Sequence, residues 1–311
     1  MKVYVTRKLP DIAEKMLKEH FEVGVHDENH VLPREKLIEV VKHYDGILST
    51  MPDCLDREVL SHAGLLKVIA NYAAGLDNID LKAAEEKGIQ VFNLPDEGTN
   101  STADMTWALF MAFIRRIPQG DQFVRSGQWG CWDPWIGLGE ELAGKTYGVV
   151  GYGRIGQAVA QRALGFDLNV VVYHRSQKIL EDPRMKQNPW EEFLASVDYF
   201  SLHTPLTPET RNLINAATIA RMKKKPLLIN MARGPVVNTE DLIAALKKGD
   251  LRGAALDVTD PEPLPGDHPL IRAPNCLFAP HVGTGTIDCR VHSAQSAAQN
   301  LIQGLLKTRN I

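Results

Sequence analysis

The chain lacks most of the features that would set it apart from ordinary globular proteins. Cysteine is scarce: Cys54, Cys131, Cys276 and Cys289 are scattered over 311 residues with no C-x-x-C pair. That argues against a disulfide framework or a thiolate zinc site and suits a reducing cytoplasm. An excess of charge of one sign is also missing. Lys and Arg number 35 against 38 Asp and Glu, a formal net charge of -3, so no basic face is offered to nucleic acid or to an anionic membrane. No apolar run approaches the ~20 residues of a membrane span; the most apolar stretch is Met105 to Ile114. The opening "MKVYVTRKLP" enters a strand-like run without the apolar core of a signal peptide. Together these absences predict a soluble, cytoplasmic protein.

What is present is an α/β alternation long enough for about two domains. "KVYV", "FEVGV", "DGILS", "KVIANY" and "IQVFN" read as strands. Between them, "DIAEKMLKEH", "PREKLIEVVKHY" and "LKAAEEKG" read as helices, the last closed by Gly88. Such alternation implies a parallel sheet with helices on both faces.

"NSTADMTWALFMAFIRRIPQG" follows as a helix, with Ser101 or Thr102 as N-cap and Pro118 to Gly120 as its stop. Its middle is apolar almost all round, which one core face does not explain. Burial within the core or in a homodimer interface would.

A second alternation begins at Lys145, with "TYGVVGYG", "NVVVYH", "DYFSLHTP", "PLLINMARG", "GAALDV" and "CLFAPH" as strands. "TIDCRVHSAQSAAQNLIQGLL" is a last helix. Periodicity does not say which sheet it covers.

Gly151-x-Gly153-x-x-Gly156, between a strand and a helix, has the form of a dinucleotide-binding turn. Gly151 permits the tight turn, Gly153 lets backbone approach a pyrophosphate, and Gly156 lets helix and strand pack closely. The N–H groups of Arg154 and Ile155 would face the phosphates. After the next strand an acid is expected, to grip the ribose of NAD. His174, Arg175 and Ser176 stand there instead. An arginine beside a hydroxyl suits a 2′-phosphate, through charge-assisted hydrogen bonds. The expectation is NADP(H), with NAD(H) possible if Arg175 is only a solvated surface group.

Ligands of open parallel sheets bind outside the carboxyl ends of the strands. Three such ends carry polar groups: Arg233 in "LLINMARG", Glu262 in "AALDVTDPEP" and His281 in "LFAPH". Singly each has a bland explanation, as a solvated cap, a loop residue or a structural histidine. Arriving together on the edge that holds the glycine turn, they suit hydride transfer to a carbonyl.

The motifs "NYAAGLDNIDL", "VVGYGRIGQAVA", "LHTPLTPETRNLIN", "INMARGPVVN", "ALDVTDPEPLP" and "APHVGTGT" span nearly the whole chain. In these the sequence resembles the D-2-hydroxyacid dehydrogenase family, most of all its glyoxylate/hydroxypyruvate reductase branch. The resemblance implies two Rossmann- or flavodoxin-like parallel-sheet domains. A dinucleotide-binding domain, residues 100–285, would be inserted into a discontinuous substrate domain, residues 1–99 and 286–311. It further implies Arg233, Glu262 and His281 as the catalytic trio, and Ala74 and Gly75 as backbone donors to the substrate carboxylate, with Met51 in a covering loop. Thr204, Ala232 and Asp257 would line the cofactor site. Trp132 or Trp135 could close a partner subunit's pocket or pack under a surface loop. The sequence departs from the family pattern at His174-Arg175, at Met231 and at Thr259, which touches cofactor choice and substrate shape.

By this resemblance Arg233 binds the carboxylate of a small 2-oxo acid and polarises its carbonyl. His281 protonates the carbonyl oxygen, with Glu262 favouring its charged form. No metal is needed; His26 and His30 have i,i+4 spacing, but in a polar loop. Two alternatives stay open. One is an NAD-linked dehydrogenase of another D-2-hydroxy acid such as 3-phosphoglycerate. The other is a dinucleotide-sensing, corepressor-like binding protein, since fold and function are separable.

Overall fold

A computed structural model of the chain describes residues 1–28 and 30–308. The first series of elements is β1 (Lys2–Val5), α1 (Asp11–Lys18), β2 (Glu22–Val25), α2 (Arg34–His43), β3 (Gly46–Ser49), α3 (Arg57–Ser61), β4 (Val68–Asn71), α4 (Leu81–Glu86) and β5 (Gln90–Phe92). Helices α5 (Thr99–Ile114) and α6 (Ile117–Arg125) follow. The second series is β6 (Thr146–Val150), α7 (Arg154–Leu164), β7 (Asn169–Tyr173), β8 (Met185–Gln187), α8 (Trp190–Ser196) and β9 (Tyr199–Leu202). It continues through α9 (Ala216–Ile219), β10 (Leu227–Asn230), α10 (Thr239–Lys248), β11 (Gly253–Leu256) and β12 (Cys276–Phe278) to α11 (Ile287–Thr308). The chain forms two compact units, Met1–Gly98 with the segment from Gly285 onward, and Thr99–Thr284.

The first unit is built on a five-stranded parallel sheet in the order β2-β1-β3-β4-β5. Every residue of β3 and β4 is buried, as expected of strands covered on both faces. Leu37, Val41, Val59 and Leu60 of α2 and α3 pack on one face; Leu17 of α1 and Ala294, Ala298 and Leu301 of α11 pack on the other. Small residues let α11 lie close to the sheet: a Cβ on Gly304 would come within 2.9 Å of Val68 and Phe92. Helix α4 ends as its sequence predicts. Gly88 is left-handed (φ 68°), its N–H donates to the Glu85 carbonyl and that of Ile89 to Ala84, which together satisfy the last carbonyls of the helix.

The second unit holds a seven-stranded parallel sheet, β12-β11-β10-β9-β6-β7-β8. Helices α5 and α7 cover one face, and α8 and α10 the other. Strand order reverses between β6 and β9, the crevice where open α/β sheets bind ligands. Edge strand β8 carries a single buried residue, Met185, and has no alternation by which sequence alone would reveal it.

Helix α5 differs from its expected limits. It starts at Thr99, before Ser101 and Thr102, and ends at Ile114. Arg116 adopts φ 54°, and Pro118 lies in the first turn of α6, where its missing N–H costs nothing; the proline starts a helix here instead of stopping one. Much of the apolar girth of α5 is used within its own unit. Trp107 stacks between Tyr147 and Phe166, and its Nε1 donates to the Val159 carbonyl. Beyond α5, Ile117, Val124, Trp129, Trp132, Trp135 and Leu138 are exposed, Trp132 at 80% and Trp135 at 79%. Among the described residues no helix is long and apolar enough to cross a membrane.

Candidate active site

Strand β6 delivers the glycine turn at the reversal of strand order. Gly151 has φ 92°, and a Cβ there would lie 2.6 Å from the His203 carbonyl oxygen at the end of β9. A Cβ on Gly156 would lie 2.0 Å from the Gly151 carbonyl oxygen. Both glycines are therefore demanded by the fold. Gly153 is not: its φ is -85°, and a Cβ there meets nothing within 4 Å. That open space lies at the first turn of α7, which has no side-chain cap, with Arg154 and Ile155 as its first residues. An uncapped helix start with room beside it fits a pyrophosphate.

Past β7, the His174–Ser176 turn is tied down from two sides. The His174 Nδ1 accepts from the Ser176 N–H at 3.2 Å. The Gln187 amide donates to the carbonyls of His174 and Ser176 at 3.1 and 3.0 Å. Arg175 and Ser176 are left exposed. Gln187, on the strand that sequence reasoning missed, is what fixes this turn. Glu209, in the loop after β9, was also missed. The Thr207 hydroxyl first, then its own backbone N–H and last the charge of Arg175 hold its carboxyl below the ordinary range, so Arg175 has an acidic neighbour from a different strand end. Thr204 follows His203 and is half-buried; its N lies 3.0 Å from the Cβ position of Gly151.

The three polar strand ends converge. Ala232 is buried, its N–H donating to the Asn230 Oδ1 and its carbonyl accepting from Arg233 Nη1 at 2.8 Å. Asn230 Nδ2 donates to the Arg233 carbonyl, so one asparagine fixes the backbone on both sides of the β10 exit. Gly234 then allows close approach to the loop beyond β11. In that loop the Thr259 N–H donates to Glu262 Oε2 at 3.2 Å. Glu262 Oε1 lies 2.5 Å from His281 Nδ1. Burial pushes the Glu262 carboxyl up, but the His281 hydrogen bond and charge, the Thr259 N–H and the Arg233 charge outweigh it and hold the group below the ordinary carboxylate range.

His281 sits at φ 53°, a left-handed conformation that needs support. Asp257 supplies it. Its carbonyl accepts from the His281 N–H at 2.8 Å, and its buried carboxylate accepts from the N–H groups of Val282 and Gly283, both at 2.8 Å. Burial raises the Asp257 carboxyl more than those two N–H bonds lower it. The visible work of Asp257 is to shape the histidine turn, a role its sequence position did not suggest.

In the other unit, Met51 lies in a turn pinned by Asp53, whose Oδ2 accepts from the Thr50 N–H at 2.6 Å and the Thr50 hydroxyl at 2.9 Å. Asn78 Nδ2 donates to the carbonyls of Thr50 and Asp53, tying this turn to the one that carries Ala74 and Gly75. Among the described residues no group of three or more His, Cys, Asp or Glu is placed to hold a metal ion; His26 Nε2 bonds the His30 carbonyl instead.

The profile described as "D-isomer specific 2-hydroxyacid dehydrogenase, NAD binding domain" matches residues 107–283. A glyoxylate reductase of Pyrococcus furiosus is 44% identical over 97% of this chain and 91% of its own. A crystal structure of a Thermus thermophilus protein superposes with a TM-score of 0.93 at 44% identity, covering 99% of this chain and 97% of that one. An acyclic imino acid reductase solved with NADPH and D-Arg superposes with a TM-score of 0.88 at 25% identity, covering 99% and 98%. The chain belongs to the D-isomer specific 2-hydroxyacid dehydrogenase family. It is an NAD(P)-dependent oxidoreductase.

Proposed function

We propose that the chain reduces glyoxylate and hydroxypyruvate, with a preference for NADPH, to glycolate and D-glycerate. The His281–Glu262 contact, with the Arg233 charge acting on the same carboxylate, is the observation that carries this reading. Hydride is what the bound nicotinamide supplies. Arg233 takes the substrate carboxylate and polarises the carbonyl, and the Ala74 and Gly75 N–H groups share the carboxylate. His281 gives its proton to the carbonyl oxygen, and the Glu262 carboxylate keeps the ring oriented. Gly151, Gly153 and Gly156, with the N–H groups of Arg154 and Ile155, hold the pyrophosphate. Ser176 and Arg175 take a 2′-phosphate, with His174 supporting their turn. Thr204, Ala232 and Asp257 border the cofactor.

We propose a homodimer joined through the segment from Ile117 to Leu138, which leaves large apolar side chains exposed, Ile117, Val124, Trp129, Trp132, Trp135 and Leu138 among them. Trp132 and Trp135 are the candidates to reach a partner's pocket.

Steady-state oxidation of NADPH and NADH with glyoxylate, hydroxypyruvate, pyruvate and 3-phosphohydroxypyruvate tests the whole reading. Turnover with the first two, faster with NADPH, is expected. Turnover confined to the phosphorylated acid with NADH would replace it with the NAD-linked alternative. Binding of either dinucleotide with no turnover of any acid would leave a sensor.

A further inference from the structure

Asn93, directly after β5, takes no part in the mechanism above. Its Nδ2 donates to the Ala74 carbonyl at 2.7 Å. The neighbouring carbonyls are held as well. Ala73 accepts from the Leu94 N–H at 2.9 Å, and Gly75 accepts from Asn71 Nδ2 at 3.0 Å. Asn71 is itself fixed, its Oδ1 accepting from Ser49 Oγ at 3.0 Å and its Nδ2 reaching Asn78 Oδ1 at 3.1 Å. Three successive carbonyls of the turn after β4 are thus each engaged from within the unit.

The peptides of this turn are trans, and in a trans peptide the C=O and N–H point in opposite directions. The Leu94 N–H, by holding the Ala73 carbonyl, turns the Ala74 N–H away from β5. Asn93, by holding the Ala74 carbonyl, turns the Gly75 N–H away in the same manner. The Ala74–Gly75 plane is the one most in need of this, because a peptide flanked by glycine rotates with little steric resistance. Asn93 is placed firmly enough to resist that rotation: its own carbonyl accepts from Asn300 of α11, and Leu94 beside it is buried.

We propose that Asn93 is a positioning residue for substrate binding: its amide locks the Ala74–Gly75 peptide so that the Gly75 N–H is presented to the carboxylate of the 2-oxo acid. The inference rests on the proposed role of Ala74 and Gly75 as carboxylate donors. It predicts an effect on the ground-state hold on the anion, separate from the cofactor and from the proton transfer at His281.

Asn93→Asp tests it, since a carboxylate of the same shape repels the Ala74 carbonyl where the amide attracted it. The KM for glyoxylate is expected to rise about tenfold, the scale of one lost hydrogen bond to a charged group. NADPH affinity by fluorescence titration and kcat at saturation should stay close to the parent's. Asn93→Ser keeps a donor on a shorter arm and should fall between; if the aspartate variant does not fold, the serine variant carries the test through the same KM shift at unaltered NADPH affinity. An unchanged KM, or a KM, kcat and NADPH affinity that worsen together with a lowered Tm, overturns the positioning role. A parent that reduces no 2-oxo acid overturns the functional reading and this inference together. A parent that turns over while both variants keep its KM overturns this inference alone.

Discussion

A Cβ placed on Gly234 would lie 1.9 Å from the carbonyl oxygen of Thr259. Backbone meets backbone here, at the exits of β10 and β11, and the contact sets the loop of Arg233 against the loop of Glu262. Neither loop can withdraw into solvent to admit a methyl group without moving one of these two side chains. Gly234→Ala is therefore expected to lower Tm, at a cost of about 1–3 kcal/mol for overpacking, and to lose most of its turnover. A variant with parental Tm and kcat would show that the loops part freely.

Glu262→Gln should move the pH profile of reduction. The carboxyl is held below the ordinary range by its partners, so it is charged through the neutral region and holds the His281 ring through their hydrogen bond. In the parent, reduction should fall as pH drops through the lowered Glu262 value and the carboxylate is lost; in the glutamine variant that acid limb should be missing, so the loss of kcat is larger at neutral pH than at acid pH. A kcat–pH profile that superimposes on the parent's, where chemistry limits the rate, would leave Glu262 without this role.

His281→Ala should abolish most reduction and leave NADPH binding intact, because the imidazole acts on substrate oxygen. Arg233→Ala should lose turnover and also raise the KM for the oxo acid, since it contacts ground-state carboxylate and developing charge alike. Separate measurement of kcat, KM and NADPH affinity checks both. An Arg233→Ala variant with unchanged KM would mean the carboxylate is held elsewhere.

Cofactor choice should depend on two opposed charges. Arg175→Ala is expected to weaken NADPH roughly tenfold, as for a lost charge-assisted phosphate contact, and to leave NADH nearly unchanged. Glu209→Gln should shift the ratio the other way, because it removes the carboxylate that the Arg175 charge now acts on. A ratio of NADPH to NADH affinity that is the same in both variants and the parent would discard the 2′-phosphate reading.

His203 predicts a stability effect. Its Nε2 pairs with the Ser201 hydroxyl at 2.8 Å, while its Nδ1 is buried with no hydrogen-bond partner among the described residues. Burial pushes this imidazole down to about 3. An unfolded histidine takes a proton near pH 6.5, so the unfolded chain binds more protons than the folded one below that pH. The stability associated with a neutral His203 is fully present above about pH 6.5 and is lost as pH falls toward the folded value. Urea unfolding at pH 7.5 and 5.5 should show a smaller pH dependence in His203→Asn than in the parent.

Much of this was legible in the sequence because it rests on local rules. Alternating apolar runs and helical periods give parallel sheets, and Gly151 and Gly156 occupy a turn marked by its spacing together with the strand before it and the helix after it. The strand ends bearing Arg233, Glu262 and His281 could be placed because a parallel sheet sends all its exits to one edge. What escaped notice depends on distant partners or on turns that obey no period. Gln187 matters only because β8 lies beside β7, and Asn93 only because β5 lies beside β4. Asp257 lies just past the end of β11, and nothing local reveals that its carboxylate shapes the turn at His281, beyond the next strand. The limits of α5 do not follow from the sequence because Pro118, usually a terminator, sits in the first turn of α6, where it is tolerated.

The uneven placement of the five tryptophans makes the chain report on itself. Trp107 is sealed between Tyr147 and Phe166, and Trp190 is stacked on Phe193, whereas Trp129, Trp132 and Trp135 stand in solvent. Three indoles in water should dominate the emission of a dilute monomer and place its maximum toward the red, open to quenching by iodide. Covering the segment that bears them should shift that light to the blue and shield it, with no label attached. Association of this chain would then be visible as a colour change whose midpoint moves with protein concentration.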